Sequence, residues 1–228
     1  MTQAFDAIAD AYDRWYDTPE GRAIFHAEVD CLRLLCKEFR GRWLEVGVGT
    51  GRFAVALGVK EGIDPSPQML EKAAQRGIRT YLATAEHLPF PDGAFHGVLM
   101  ALALCFVSDA EQAMHECARV LNASGMLVIG TVSADGPWGK VYMRKALEGH
   151  PVYSLARFRT ASEVLTLAAG AGLQARASAS AILWEPDSGR MGEARVERGI
   201  SQEAAFLGLL FGKADTIPAR LKVSEHFA

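Results

Sequence analysis

The stretch Trp43-Leu44-Glu45-Val46-Gly47-Val48-Gly49-Thr50-Gly51-Arg52-Phe53 constrains this chain more than any other. An apolar run interrupted by one carboxylate reads as a buried strand, and glycines at 47, 49 and 51 read as a tight loop ahead of a helix. Such a loop lets a nucleotide-like ligand approach backbone amides without meeting a Cβ. A second acid, Asp64 in Gly62-Ile63-Asp64-Pro65-Ser66-Pro67, closes the next apolar run. Read locally, Asp64 is a turn acid capping the helix that starts near Pro67; read with the glycines, it is a ligand acid at the neighbouring strand end. The dinucleotide fingerprint, Gly-x-Gly-x-x-Gly with its ribose acid about 20 residues on, has a different spacing.

The rest of the chain fits one compact domain. Its 228 residues, half of them hydrophobic, can bury a full core, and no shift in composition divides them. A net charge of -3 offers no basic stripe, so neither nucleic acid nor an anionic membrane is an expected partner. The opening Met-Thr-Gln-Ala-Phe-Asp does not read as a signal peptide and no apolar run reaches membrane-spanning length, so a cytoplasmic location is expected. Cys31, Cys36, Cys105 and Cys117 lack paired Cys-x-x-Cys spacing and read as reduced thiols; no metal site is expected.

Alternating periodicities predict helices near 2–17 and 20–39, the second with Ile24, Val29, Leu32, Leu35 and Phe39 at helical intervals. Strands are expected near 42–47, 59–63, 79–83, 95–101 and 125–132, with helices near 51–57, 67–76 and 109–121 between them. A helix near 161–170 and strands near 173–184 and 204–212 follow. This is an α/β, doubly wound, mostly parallel seven-stranded sheet with its ligand crevice at the strand C-terminal ends. The last strand follows its neighbour too closely for a crossover helix and should run antiparallel to it. The parts expected are a helical lid over 1–40, a ligand-binding core over 41–132, an insertion over 133–160 and a C-terminal unit over 161–228. The charged segment 185–202 reads as either a flap or a surface loop.

The glycine loop and Asp64 together resemble the first two motifs of class I S-adenosylmethionine-dependent methyltransferases. Ala83-Thr84-Ala85-Glu86-His87-Leu88-Pro89-Phe90-Pro91-Asp92-Gly93-Ala94-Phe95 is similar to the family's adenine-flanking motif. Ala118-Arg119-Val120-Leu121-Asn122-Ala123-Ser124-Gly125-Met126-Leu127-Val128-Ile129 resembles the helix-turn-strand of the small, ubiquinone-type branch. The resemblance covers about residues 40 to 132 closely and implies a Rossmann-like fold, S-adenosylmethionine as cofactor and a small-molecule acceptor.

It also implies roles. Glu45 would face the cofactor's amino group directly or through water, the loop amides near Gly47, Gly49 and Gly51 would line the cofactor, and Asp64, followed by Pro65, would take its ribose hydroxyls. Thr84, Ala85 and Glu86 would read the adenine, although the family often carries Asp where Thr84 stands; Glu86 reads equally well as a solvated loop carboxylate. Tyr16 of the lid is assigned to the cofactor, and Tyr12, Cys105, Trp138, Tyr142, Tyr153 and Arg157 to the acceptor. Cys105 reads also as a small buried thiol. Cys31 and Cys36 on the lid helix raise the alternative of a metalloid acceptor.

Methyl transfer from an activated sulfonium asks chiefly for positioning and exclusion of water, so no catalytic side chain is assigned. Two other functions stay open: a binding protein for the same cofactor without transfer, acting as sensor or scaffold, and a nicotinamide-dependent oxidoreductase. The glycine spacing and the lack of a Tyr-x-x-x-Lys pair weigh against the latter. The oligomeric state and the atom methylated are not readable from the chain.

Overall fold

A computed structural model describes residues 2–36 and 40–213. Helices α1 (Thr2–Trp15) and α2 (Pro19–Leu35) precede β1 (Trp43–Val46), α3 (Arg52–Leu57), β2 (Glu61–Asp64), α4 (Pro67–Gln75) and β3 (Arg79–Leu82). Then come β4 (Phe95–Ala101), α5 (Ala110–Val120), β5 (Leu121–Thr131), α6 (Pro137–Leu147), α7 (Ala161–Gly170), β6 (Leu173–Ile182), β7 (Arg195–Arg198) and β8 (Phe206–Lys213). Two 3₁₀ turns, Leu104–Phe106 and Tyr153–Leu155, follow β4 and α6. Phe39, the end expected for the second helix at 37–39, and the stretch 214–228 lie outside the described residues.

The strands lie in the order β3-β2-β1-β4-β5-β8-β6-β7. The first five run parallel, and β8 lies antiparallel between β5 and β6. The expected antiparallel last strand is therefore present, inserted between its predecessors. The expected seven strands become eight, because β7 adds to the free edge of β6 from within the segment 185–202. Its sequence, Arg-Val-Glu-Arg, has one apolar residue and no alternating pattern to reveal a strand. Charge on an edge strand blunts pairing with other chains, which is why such a strand reads as loop.

Side-chain alternation divides the core between the two faces of the sheet. Leu44, Val46, Ile63, Val98 and Met100 meet α5 and α7 through Ala113, Met114, Cys117, Val164 and Ala168. Trp43, Leu99, Ala101 and Val128 face the other way, onto α2, α3 and α4 through Val29, Leu32, Phe53, Leu57 and Leu70. Burial on both faces is what a parallel central sheet requires, and each such aliphatic side chain contributes about 1.5–3 kcal/mol.

The helices start where capping chemistry places them. Thr18 accepts the Gly21 N–H at 3.0 Å, with Pro19 in the first turn of α2. Ser66 accepts from Met69, with Pro67 in the first turn of α4. Ser66, not Asp64, is thus the cap of α4, which leaves the Asp64 carboxylate for other work. The insertion over 133–160 is not all loop: Gly136 and Pro137 open α6 within it.

Chain order reverses between β1 and β4, so connections leave the sheet there on opposite sides and open a crevice at the strand C-terminal ends.

Candidate functional site

A cavity of about 590 Å³ fills that crevice. Its floor is the C-terminal end of β1, β2 and β4, at Val46, Ile63, Asp64 and Ala101, and its roof is α1 through Phe5, Ile8 and Tyr12, with Tyr16 just past the helix end. At the far end stand Tyr142, His150, Tyr153 and Phe158 from the insertion.

Turn geometry makes the near end. Gly47 and Gly49 have φ of +74° and +52°, which side chains rarely adopt. A Cβ at Gly47 would sit 2.4 Å from the Ala103 Cβ, whereas a Cβ at Gly49 would meet no protein atom within 4 Å. Gly49 therefore presents bare backbone to the cavity. Asp64 Oδ2 accepts the Gly49 N–H at 3.0 Å and Oδ1 accepts the Ser66 N–H at 2.9 Å. Each oxygen keeps a lone pair, which suits two neighbouring hydroxyls. Burial pushes the Asp64 carboxyl upward, against the pull of those two N–H groups.

Glu45 sits one layer behind. It is 1% exposed and does not line the cavity; Ala54 of α3 donates a backbone hydrogen bond to it, and its Oε2 has no partner among the described residues. Burial holds it well above the usual carboxylate range. Gly51 lies below the loop against Ala73, away from the cavity. Pro65, Thr84, Ala85, Glu86 and Tyr16 do line it.

The Glu86 side chain is occupied. Its Oε1 accepts the N–H of Ser108 at 3.0 Å and of Asp109 at 3.1 Å, tying the loop after β3 to the start of α5. Burial opposes ionisation, but these donors with the Thr84 hydroxyl outweigh it and hold Glu86 below its ordinary value.

Of the residues assigned to the acceptor, Tyr12, Cys105, Tyr142 and Tyr153 line the cavity and two do not. Trp138 packs with Ile24, Val132 and Ala205, its indole N–H donating to the Trp184 carbonyl at 3.1 Å. Arg157 turns to a separate cleft shared with Arg159 and Glu163. The Cys105 thiol is pushed up to about 12 by burial and donates to the Leu102 carbonyl. Cys31 and Cys36 pack in the core against the sheet, so the cysteines do not converge, and no cluster of metal-ligating side chains exists among the described residues.

Several residues carried no readable signal. Leu102, at φ +55°, bends the chain out of β4 into the cavity wall, a conformation costly for a side-chain-bearing residue. Asp13 of α1 accepts from Arg52 Nε at 2.8 Å and from Arg76 at 2.8 Å, while Asp17 takes Arg52 at 3.0 Å. These pairs latch the roof to α3 and α4. Burial resists the charge on Asp13, yet the two guanidiniums bring its carboxyl down to about 2. The latch is therefore complete above the ordinary carboxylate range and lost as pH falls toward 2. With side chains about one-sixth exposed, the Asp13–Arg52 pair falls between exposed and buried ion pairs. Asp13→Ala should cost about 1–2 kcal/mol of stability and loosen ligand binding, more so at low salt, as urea unfolding and calorimetry would show.

The fold is Rossmann-like, and comparison with known proteins gives its class. The family model for the methyltransferase domain matches residues 44–129. A Thermotoga maritima crystal structure, described as an S-adenosylmethionine-dependent methyltransferase and possible histamine N-methyltransferase, superposes with a TM-score of 0.84 at 33% identity over 93% of this chain and 99% of that one. An uncharacterized Mycobacterium tuberculosis protein is 41% identical over 201 residues, 88% of this chain and 70% of the relative. The demethylmenaquinone methyltransferase of Tropheryma whipplei is 33% identical over 64% of this chain and 66% of its own, in keeping with the ubiquinone-type branch. The chain belongs to the S-adenosylmethionine-dependent methyltransferase family; it is an enzyme and its cofactor is S-adenosylmethionine. No helix among the described residues is long and apolar enough to cross a membrane.

Proposed function

We propose that the enzyme methylates a small-molecule acceptor held in the aromatic end of the cavity. The observation that carries this reading is continuity: one space beneath α1 runs from Gly49 and Asp64 to Tyr142 and Tyr153, so cofactor and acceptor share it. A chamber of about 590 Å³ suits a metabolite beside the cofactor better than a segment of folded protein.

The near end fits the cofactor. Asp64, with one free lone pair on each oxygen, would hold the ribose hydroxyls, and the bare backbone of Gly49 would admit the methionine portion. Glu45 stands one layer behind the loop, so its unpartnered Oε2 would serve the amino group through a bridging water rather than by direct contact. The backbone of Thr84, Ala85 and Glu86 reads the adenine, since the Glu86 carboxylate is spent on Ser108 and Asp109. When bound, S-adenosylmethionine supplies a methyl group on a positively charged sulfur, ready for in-line displacement. The chain's own part is to align the acceptor and keep water out, which the ring-lined wall and latched roof do. Radiolabelled S-adenosylmethionine with small-molecule panels tests this. Label transferred to a metabolite supports the reading, and label transferred only to protein or nucleic acid opposes it.

A further inference from the structure

Glu28 belongs to neither the glycine loop nor the cofactor acids. It stands on α2 within the buried arc of Ile24, Ala27, Cys31 and Leu32. It is 5% exposed, it lines the cavity, and its Oε2 has no hydrogen-bond partner among the described residues. Four tyrosines line the same cavity: Tyr12 from α1, Tyr16 just past its end, Tyr142 from α6 and Tyr153 from the following 3₁₀ turn. Tyr142 and Tyr153 stack at 4.3 Å, with Phe158 6.0 Å from Tyr142.

An unpaired acid buried among rings is costly, and a cation is the ligand that removes the cost. Aromatic walls add their own attraction for a cation. A neutral acceptor would leave Glu28 as it is. We propose that the acceptor end of the cavity binds a small organic amine in its ammonium form, with Glu28 as counter-ion and Tyr142, Tyr153 and Phe158 around the carbon frame. This rests on the methyltransferase reading of the same cavity and names its acceptor class; an ammonium nitrogen first gives a proton to the Glu28 carboxylate, and its freed lone pair then takes the methyl group as the carbon–sulfur bond breaks.

The charge that the ammonium needs is set by pH. Burial pushes the Glu28 carboxyl up to about 8. Burial also keeps Tyr12, Tyr16, Tyr142 and Tyr153 neutral throughout the physiological range, and Cys31 on the same helix is pushed up to about 12. His150, which stacks on Tyr153 and lines the same wall, is controlled by a His150→Gln variant. Amine affinity should therefore climb from pH 6 to pH 8, approaching tenfold per pH unit at the acid end.

The test is calorimetric titration of the full chain saturated with S-adenosylhomocysteine. Probes are a series of primary amines from propylamine to 2-phenylethylamine, each paired with the alcohol of the same carbon skeleton. The proposal expects at least one amine to bind tenfold or more tighter than its alcohol at pH 8, less so at pH 6. It expects Glu28→Gln to erase that preference, His150→Gln to keep it, and both variants to bind S-adenosylhomocysteine as before. No amine preferred over its alcohol, or a preference that survives Glu28→Gln, would overturn it. Failure of the parent protein to bind S-adenosylhomocysteine would instead overturn the methyltransferase reading.

Discussion

At pH 8 the Glu28→Gln variant should unfold at a higher temperature than the parent protein, while near pH 4 the two should unfold together. In the unfolded chain Glu28 ionises near the ordinary 4.5, and in the folded chain burial delays ionisation to about 8. Between those values the folded state keeps a proton that the unfolded state has released, so stability falls as pH rises. The penalty grows by about 1.4 kcal/mol for each pH unit crossed and levels off above pH 8. Glutamine keeps the shape and cannot ionise, so it removes the slope. In a chain of this size each kcal/mol moves the unfolding midpoint by about 2–4 °C. The effect at pH 8 should thus be on the order of 10 °C by calorimetric scanning without ligand. Parallel pH curves for the two proteins would show that Glu28 ionises in the folded chain as it does in water. The cost has a functional reading: a site that gives up stability to keep an unpaired acid recovers it when a cation binds.

The second large effect is on the cofactor. Asp64→Ala should weaken S-adenosylhomocysteine binding by about 1.5–3 kcal/mol, the range for hydrogen bonds to a charged group, which is roughly tenfold to more than a hundredfold in Kd. The substitution also releases the N–H groups of Gly49 and Ser66, so part of the loss comes from a loosened loop. Asp64→Asn separates the contributions, because the amide still accepts through one oxygen but lacks the charge. It should fall between the parent and the alanine variant. Alanine with unchanged affinity, in a protein that still melts cooperatively, would remove Asp64 from the site.

β1 was legible as an apolar run stopped by Gly47 and β2 as a short run stopped by Asp64, each before a helical period, and β4 and β5 as longer apolar runs; β3, Arg-Thr-Tyr-Leu, has neither such an ending nor a helix after it. The reversal of β8 was legible from the short connection before it, but its place between β5 and β6 was not, since spacing says nothing of lateral order. β7 escaped notice because an edge strand needs no apolar alternation. For the site, Asp64 and the glycines announce themselves by position at adjacent strand ends. Trp138 and Arg157 were drawn in by residue type alone; the packing of α6 sends Trp138 into the core, and Arg157, beyond the 3₁₀ turn at Tyr153–Leu155, faces a separate cleft. Asp13 with Arg52 and Arg76 was invisible because ion pairs across 39 and 63 residues leave no local pattern. Glu28 did leave a trace. With Ile24 four residues before it and Leu32 four after, it is an acid set on the apolar stripe of a helix, where a solvated face would ordinarily hold it. That violation of pattern marks it as a residue kept for binding.

Titration calorimetry with S-adenosylhomocysteine, run beside an identical titration with NADH, decides whether the glycine loop and Asp64 hold S-adenosylmethionine. Saturable one-to-one binding of S-adenosylhomocysteine, with no heat of binding from NADH, is the predicted result. Binding of NADH alone would contradict it and return the crevice between β1 and β4 to the dinucleotide class.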